Sequence, residues 1–217
     1  MTKRYIIAIS DIHGCWDKFS NALNVYQTEF NPQEDQLILL GDYIDRGPDS
    51  RRVVQTIMHL QAQQGAIVLG GNHEDLCVKA NSSTDPIEQN LDMQRWMRNG
   101  GAQTLASYEG RQAELDHHIA WMRSLPKYYE TEHYIFTHAS PSPGVPMGEQ
   151  RDVDIIWGRH TDLVGLGKIN VHGHTPVDEV VLIKDQLFID TGAVFDGKLS
   201  IVALDAEHPE WRVIAEV

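Results

Sequence analysis

The sequence predicts an α/β protein with mixed β-sheets. Three observations carry this. In the first half, short aliphatic runs bounded by Gly or Asp alternate with stretches of helical periodicity. Residues 74–126 keep apolar residues at helical spacing. The remainder returns to short runs separated by turn signals. In order, Tyr5–Ser10, Gln36–Leu40 and Ala66–Leu69 read as buried strands. Asp17–Thr28 and Asp49–Gln64 read as helices, the second from Val53, Val54, Ile57, Met58 and Leu60, with Asp49 or Ser50 as N-cap after Pro48. This βαβαβ run argues for right-handed crossovers and a largely parallel sheet with helices on its faces. The helical segment that follows breaks at Asn99-Gly100-Gly101. Tyr128–Thr137, Lys168–Val171, Val180–Ile183, Leu187–Asp190, Lys198–Leu204 and Trp211–Val217 read as strands, with antiparallel hairpins expected at Lys184-Asp185 and Asp196-Gly197. Ser140–Asp152 and Asn81–Gln89 read as loops.

Length and composition narrow the function classes. The 217 residues suit one domain, residues 1–217. No run approaches the roughly 18 uninterrupted apolar residues of a membrane span. The apolar run at Tyr5 is too short for a signal peptide core, so a cytoplasmic, non-membrane protein is expected. Two cysteines, Cys15 and Cys77, imply neither a disulfide framework nor a thiolate zinc site. With 18 Lys and Arg against 31 Asp and Glu, the formal charge is −13. No basic stripe is visible, which argues against a nucleic-acid partner. An anionic substrate would need a local cationic centre that overrides the global field.

The polar residues gather at strand ends. The first three strands run into Asp11-Ile12-His13-Gly14, Gly41-Asp42-Tyr43-Ile44-Asp45-Arg46-Gly47 and Gly71-Asn72-His73-Glu74. A fourth ends in His138, and a fifth leads into His172-Gly173-His174-Thr175. Ligands of open α/β sheets bind at the carboxyl ends of parallel strands. Any one of these residues alone reads as a cap, a turn or a packed histidine. Five strand ends that deliver oxygen and imidazole donors without a thiolate suit hard or borderline divalent metals such as Mn, Fe or Zn.

The motifs SDIHG, GDYIDRG, GNHE, THAS, IWGR, GHTP and IDTGAVFDGKLS, in this order, resemble those of the phosphoprotein phosphatase branch of calcineurin-like metallophosphoesterases. The likeness is greatest to the compact bacterial and bacteriophage lambda type, and it runs from about residue 5 to residue 204. The resemblance implies a sandwich of two mixed β-sheets flanked by helices, with the active site at the C-terminal ends of strands. It implies two divalent metal ions, Mn²⁺ first and Fe or Zn as alternatives. Asp11 and His13 would bind the first, Asp42 would bridge, and Asn72, His138 and His174 would bind the second. A metal-bridging hydroxide would attack phosphorus in line, with no phosphoenzyme. His73, oriented by Asp45, would protonate the leaving oxygen, and Arg46 and Arg159 would clamp the phosphate.

His174, before Thr-Pro, matches the family ligand, and His172 is left as a supporting or structural residue. His117, His118 and His133 fall outside every motif and read as surface or packing residues. Ser10 stands where many members have glycine. His138 is followed by Ala-Ser rather than the glycines of the eukaryotic branch, and no eukaryotic-type regulatory subunit is expected. The implied activity is a serine/threonine protein phosphatase, with phosphotyrosine also open, acting as a monomer on phosphorylated proteins or peptides. The alternative is a symmetrical dinucleoside tetraphosphate hydrolase. A family member that had lost activity would show a broken ligand or acid, and none is broken here.

Overall fold

The computed structural model describes residues 3–217, so the first two residues of the 1–217 span lie outside the described residues. Strands β1 (Tyr5–Ile9), β2 (Gln36–Leu39) and β3 (Ile67–Val68) alternate with helices α1 (Trp16–Glu29) and α2 (Ser50–Gln64), as the periodicity predicts. β1 pairs parallel with β2, and β2 with β3. The C-terminal strands β9 (Ser200–Asp205) and β10 (Trp211–Glu216) extend this sheet antiparallel from the other edge, in the order β10-β9-β1-β2-β3. The second sheet is built from β4 (Tyr128–Glu130), β5 (Tyr134–Thr137), β6 (Ile169–His172), β7 (Val181–Ile183) and β8 (Gln186–Phe188). Its order is β4-β5-β6-β8-β7, with a parallel centre and antiparallel edges.

Side-chain alternation stacks the layers. In β1, Ile6 and Ala8 face the second sheet, where they join Ile38, Leu40, Tyr134, Phe136, Val171 and Leu187. Ile7 and Ile9 face the opposite way, onto Phe19, Ala22 and Tyr26 of α1 and Val53, Val54 and Ile57 of α2. Both faces of this sheet are therefore covered, which is why its strands read as continuous apolar runs and not as alternating ones. Each such buried aliphatic side chain contributes about 1.5–3 kcal/mol.

Three local expectations are corrected. No hairpin forms at Asp196-Gly197, because β8 and β9 lie in different sheets. Tyr128–Thr137 is a hairpin and not one strand: Thr131 N–H donates to Tyr134 O at 2.9 Å, and the Thr131 hydroxyl accepts from Tyr134 N–H at 3.1 Å. Asn81–Gln89 is not all loop, because α4 (Pro86–Trp96) begins inside it. Asp85 caps that helix by accepting from Ile87 N–H at 2.8 Å, with Pro86 in the first turn. This is the Asp-then-Pro start signal of a helix. The other helices are α3 (Asn72–Ala80), α5 (Ala102–Ser107), α6 (Gln112–Arg123) and α7 (Asp152–Trp157). The expected break falls in a π-turn, Met97–Gly101, where Gly100 has φ 103°. No described helix is long and apolar enough to cross a membrane.

Candidate active site

The parallel strands of both sheets end at one edge, and the loops that leave them interlock there. Asp11 Oδ2, in the loop after β1, accepts from His174 N–H at 3.0 Å, after β6. Gly173 N–H donates to His138 O at 2.9 Å, and His138 Nδ1–H donates to Leu40 O at 3.0 Å. The first sheet thus supplies Asp11, His13, Asp42, Asn72 and His73, and the second His138 and His174. All seven are buried.

Reaching this edge costs backbone strain. Asp11, His13, Asp42, Asp45, Arg46 and His174 all adopt left-handed φ, between 46° and 72°. A non-glycine residue there costs about 1–3 kcal/mol and persists only where its surroundings over-determine it. His174 leaves the strand in a left-handed turn. His172 stays on the strand, fully buried, with its ring on Phe188 at 4.3 Å and Nδ1 on Gly173 O at 3.1 Å. Burial pulls its pKa down to about 4. His118 is also a packing residue, bonded to the Tyr108 hydroxyl at 2.7 Å.

The donor atoms converge around Asp42. Its Oδ2 lies 3.5 Å from His13 Nε2 and 3.8 Å from His73 Nε2, while Oδ1 lies 3.4 Å from His138 Nε2. One carboxylate thus faces two groups, His13–Asp42–His73 and Asp42–His138–His174, either of which could hold a metal ion. The set fits cations on two further grounds. His13 and His138 each spend Nδ1–H on a carbonyl, Ile44 O at 2.9 Å and Leu40 O, which leaves the Nε2 lone pair facing inward. The His138 lone pair meets Asn72 Oδ1 at 2.8 Å, an acceptor against an acceptor, and His174 Nε2 is buried without a partner. A positive ion satisfies all of these.

Electrostatics agree. Burial, then the charge of Asp190, pushes the Asp11 carboxyl well above its usual range; burial, then Asp11 and Glu74, does the same to Asp42. Burial holds His13 and His138 well below the usual imidazole value, and burial followed by Arg159 takes His174 to about 3. A cation would bring the resisting carboxylates into their ionised form and keep the imidazoles neutral, the state in which they ligate.

Around this centre, two carboxylates organise the motif residues. Asp45 Oδ2 accepts from His73 Nδ1–H at 2.7 Å, which turns the buried Nε2 toward Asp42. Asp45 is itself held by Trp96 Nε1–H at 2.9 Å and the Thr104 hydroxyl at 2.6 Å, both from the helical segment. Glu74 is a residue that sequence reasoning left without a role. It accepts three backbone N–H groups: Gly71 and Asp42 on Oε2, both at 2.9 Å, and Tyr43 on Oε1 at 2.8 Å. It therefore locks the GDYIDRG loop to the GNHE turn. Gly71 is needed there because a Cβ would run into the Asp42 carboxylate and backbone.

Asp11, Asp42, Arg46, Asn72, His73, Arg159 and His174 line one cavity of about 180 Å³, so four of the six expected ligands, the acid and the clamp share a single opening. Arg46 Nη1 lies 2.5 Å from His13 Nε2, and Arg159 Nη1 donates to the Thr175 hydroxyl at 3.4 Å. Asn99, Trp157, Pro176, Asp190 and Phe195 complete the wall and were missed as site residues. Asp190 and Phe195 lie within IDTGAVFDGKLS, a motif legible as a whole but silent on which side chain points where. Burial raises the Asp190 carboxyl to about 6.

The model of the calcineurin-like phosphoesterase family matches residues 4–201. The chain belongs to that family. Among curated relatives, serine/threonine-protein phosphatase 1 of Salmonella typhimurium is 29% identical over 215 residues, spanning 93% of this chain and 92% of the relative. An asymmetrical bis(5'-nucleosyl)-tetraphosphatase of Bacillus cereus is 26% identical, spanning 95% and 92%. Among solved structures, a putative diadenosine tetraphosphatase superposes with a TM-score of 0.69 at 18% identity, over 97% of this chain and 94% of that one. This calcineurin-like phosphoesterase therefore shares its two-sheet fold with such structures, and its protein phosphatase relatives accord with the phosphoprotein phosphatase branch.

Proposed function

We propose that this calcineurin-like phosphoesterase is a metal-dependent phosphomonoesterase that removes phosphate from phosphoserine and phosphothreonine in proteins, as a cytoplasmic monomer without a regulatory subunit. The observation that carries the reading is the single small cavity lined by Asp11, Asp42, Asn72 and His174, four of the six expected metal ligands, with two arginines beside them. That is room for a phosphate with its leaving oxygen at the mouth. The protein phosphatase relatives, matched over nearly their whole length, support the peptide substrate.

Asp11, His13, Asp42, Asn72, His138 and His174 would hold two divalent cations, Mn²⁺ being the expected pair. When bound, such a pair supplies Lewis acidity toward phosphate and an activated water for direct in-line attack. The chain's own residues do the rest. Arg46 and Arg159 grip phosphate oxygens with planar guanidinium groups and align the ester. His73 donates the Nε2 proton to the leaving alkoxide, while Asp45 holds Nδ1–H and stabilises the charged ring until the proton leaves. Burial of the surrounding groups keeps bulk water from competing.

The test is turnover by the Mn²⁺-loaded protein on phosphoserine and phosphothreonine peptides and on diadenosine tetraphosphate. Phosphate release from the peptides is expected; release from none of them, with the dinucleotide cleaved, refutes the reading. The second reading, a dinucleoside tetraphosphatase, is favoured by the 26% identical relative of that name. That relative is of the asymmetrical type, so products must separate two diphosphates from a mono- and a triphosphate. His73→Asn should lower turnover of alkyl phosphates, with their poor leaving groups, far more than that of p-nitrophenyl phosphate. An equal loss on both removes His73 from the acid role.

A further inference from the structure

A second groove adjoins the phosphate cavity. It holds about 440 Å³ and shares Arg46, Asn99 and Phe195 with the cavity, then runs outward past Arg98 and Gln103. The shared residues make it a continuation of that cavity toward solvent. Its chemistry is unlike that of the molecule around it. The chain carries 31 acidic residues against 18 basic ones, yet no carboxylate lines this groove, which has two arginines. Arg98 is exposed and makes no hydrogen bond or ion pair with any described residue, whereas the exposed Arg95, Arg111 and Arg151 each pair with a nearby acid. Leaving a guanidinium unpaired in so acidic a protein preserves it for an outside anion.

The other lining groups suit an extended peptide. Gln103 is exposed, and its amide has no partner among the described residues. Asn99 spends Nδ2 on Arg95 O at 2.8 Å and keeps its Oδ1. Both can bond a peptide backbone. Phe195 is 60% exposed, with the Arg46 guanidinium over its ring at 5.1 Å, and offers an apolar platform beside the phosphate. The groove floor is fixed to the catalytic loop, because Arg46 N–H donates to Gly100 O at 3.2 Å.

We infer that this groove seats the residues flanking the phosphorylated side chain and selects an acidic one, whose carboxylate pairs with Arg98. The inference rests on the protein phosphatase reading and names its substrate class. A solvent-exposed pair of this kind changes an equilibrium about twofold to fivefold, and salt screens it.

The test uses the full chain with Mn²⁺ and three phosphoserine peptides that differ only in a flanking Glu, Gln or Lys. At low salt, kcat/KM is expected to be about twofold to fivefold higher for the Glu peptide than for the Gln peptide. The ratio should shrink toward one at high NaCl. Arg98→Gln should abolish the preference, and Arg98→Glu should invert it in favour of Lys. Arg98 touches no described partner, so both variants are expected to melt with the parent. Equal kcat/KM for the three peptides, or a Glu preference that survives Arg98→Glu, overturns this inference and leaves the protein phosphatase reading standing. Cleavage of diadenosine tetraphosphate with turnover of no peptide overturns both.

Discussion

Glu74→Gln is the change whose cost can be worked out from the structure. The side chain is fully buried, and its Oε2 accepts from Gly71 and Asp42 N–H, both at 2.9 Å. Glutamine keeps an oxygen for Tyr43 N–H but places an NH₂ group where Oε2 was, so two buried donors meet a third. Hydrogen bonds to a charged group contribute about 1.5–3 kcal/mol each, so about 3–6 kcal/mol is lost. Part is recovered because a neutral amide is easier to bury than a carboxylate, as the raised Glu74 carboxyl indicates. A net loss of about 2–4 kcal/mol remains. Against the 5–15 kcal/mol typical of a folded domain this is severe. Urea unfolding of metal-free protein should show it as a lower midpoint with an unchanged slope. Calorimetric Mn²⁺ titration should show affinity falling about tenfold, because the Asp42 backbone has lost its anchor. A midpoint that moves by less than about 0.5 kcal/mol would refute the view that Glu74 holds the two loops together.

Three further outcomes follow from the same geometry. Trp96→Phe removes the indole donor to Asp45 and should lower kcat on phosphopeptides several-fold while leaving p-nitrophenyl phosphate turnover nearly intact; a proportional fall on both would show that Trp96 does not act through the His73–Asp45 pair. Gly100→Ala combines φ 103° with a Cβ 2.6 Å from Arg46 N, so the Arg46 loop has to shift. It should raise KM for phosphoesters, whereas Gly65→Ala, at φ 66° with nothing within 4 Å, should cost only about 1 kcal/mol of stability; steady-state kinetics and thermal melts separate the two. Metal binding should release protons and strengthen as pH rises. The Asp11 and Asp42 carboxyls stand above their usual range, so at acidic pH a cation must displace their protons. For the metal-free protein these two groups act in the opposite sense, lowering stability as pH rises from the ordinary carboxylate value through their raised folded values. Titration calorimetry in buffers of different ionisation enthalpy counts the protons, and affinity independent of pH would contradict the assignment.

The sequence alone was enough for the layers and for the candidate donors that gather at the shared sheet edge. Both follow from local chemistry: aliphatic runs of strand length, helical spacing between them, and polar residues placed after Ile9, Leu40 and Leu69 where parallel strands end. Strand pleating sends Ile6 one way and Ile7 the other, but a continuous apolar run does not say which face meets which layer. The tertiary structure decided what depends on residues distant in the chain. Only the packing of one sheet edge on the other brings His138 against Asn72 and the His174 backbone against Asp11, contacts 66 and 163 residues apart. Only the docking of the helical segment delivers Trp96 and Thr104 to Asp45, and opens a groove past Arg98. The left-handed turns at Asp11, Asp42 and His174 belong to that second group as well. Asp and His tolerate this region better than most side chains, but it remains costly, and bonds from across the fold hold these residues in it.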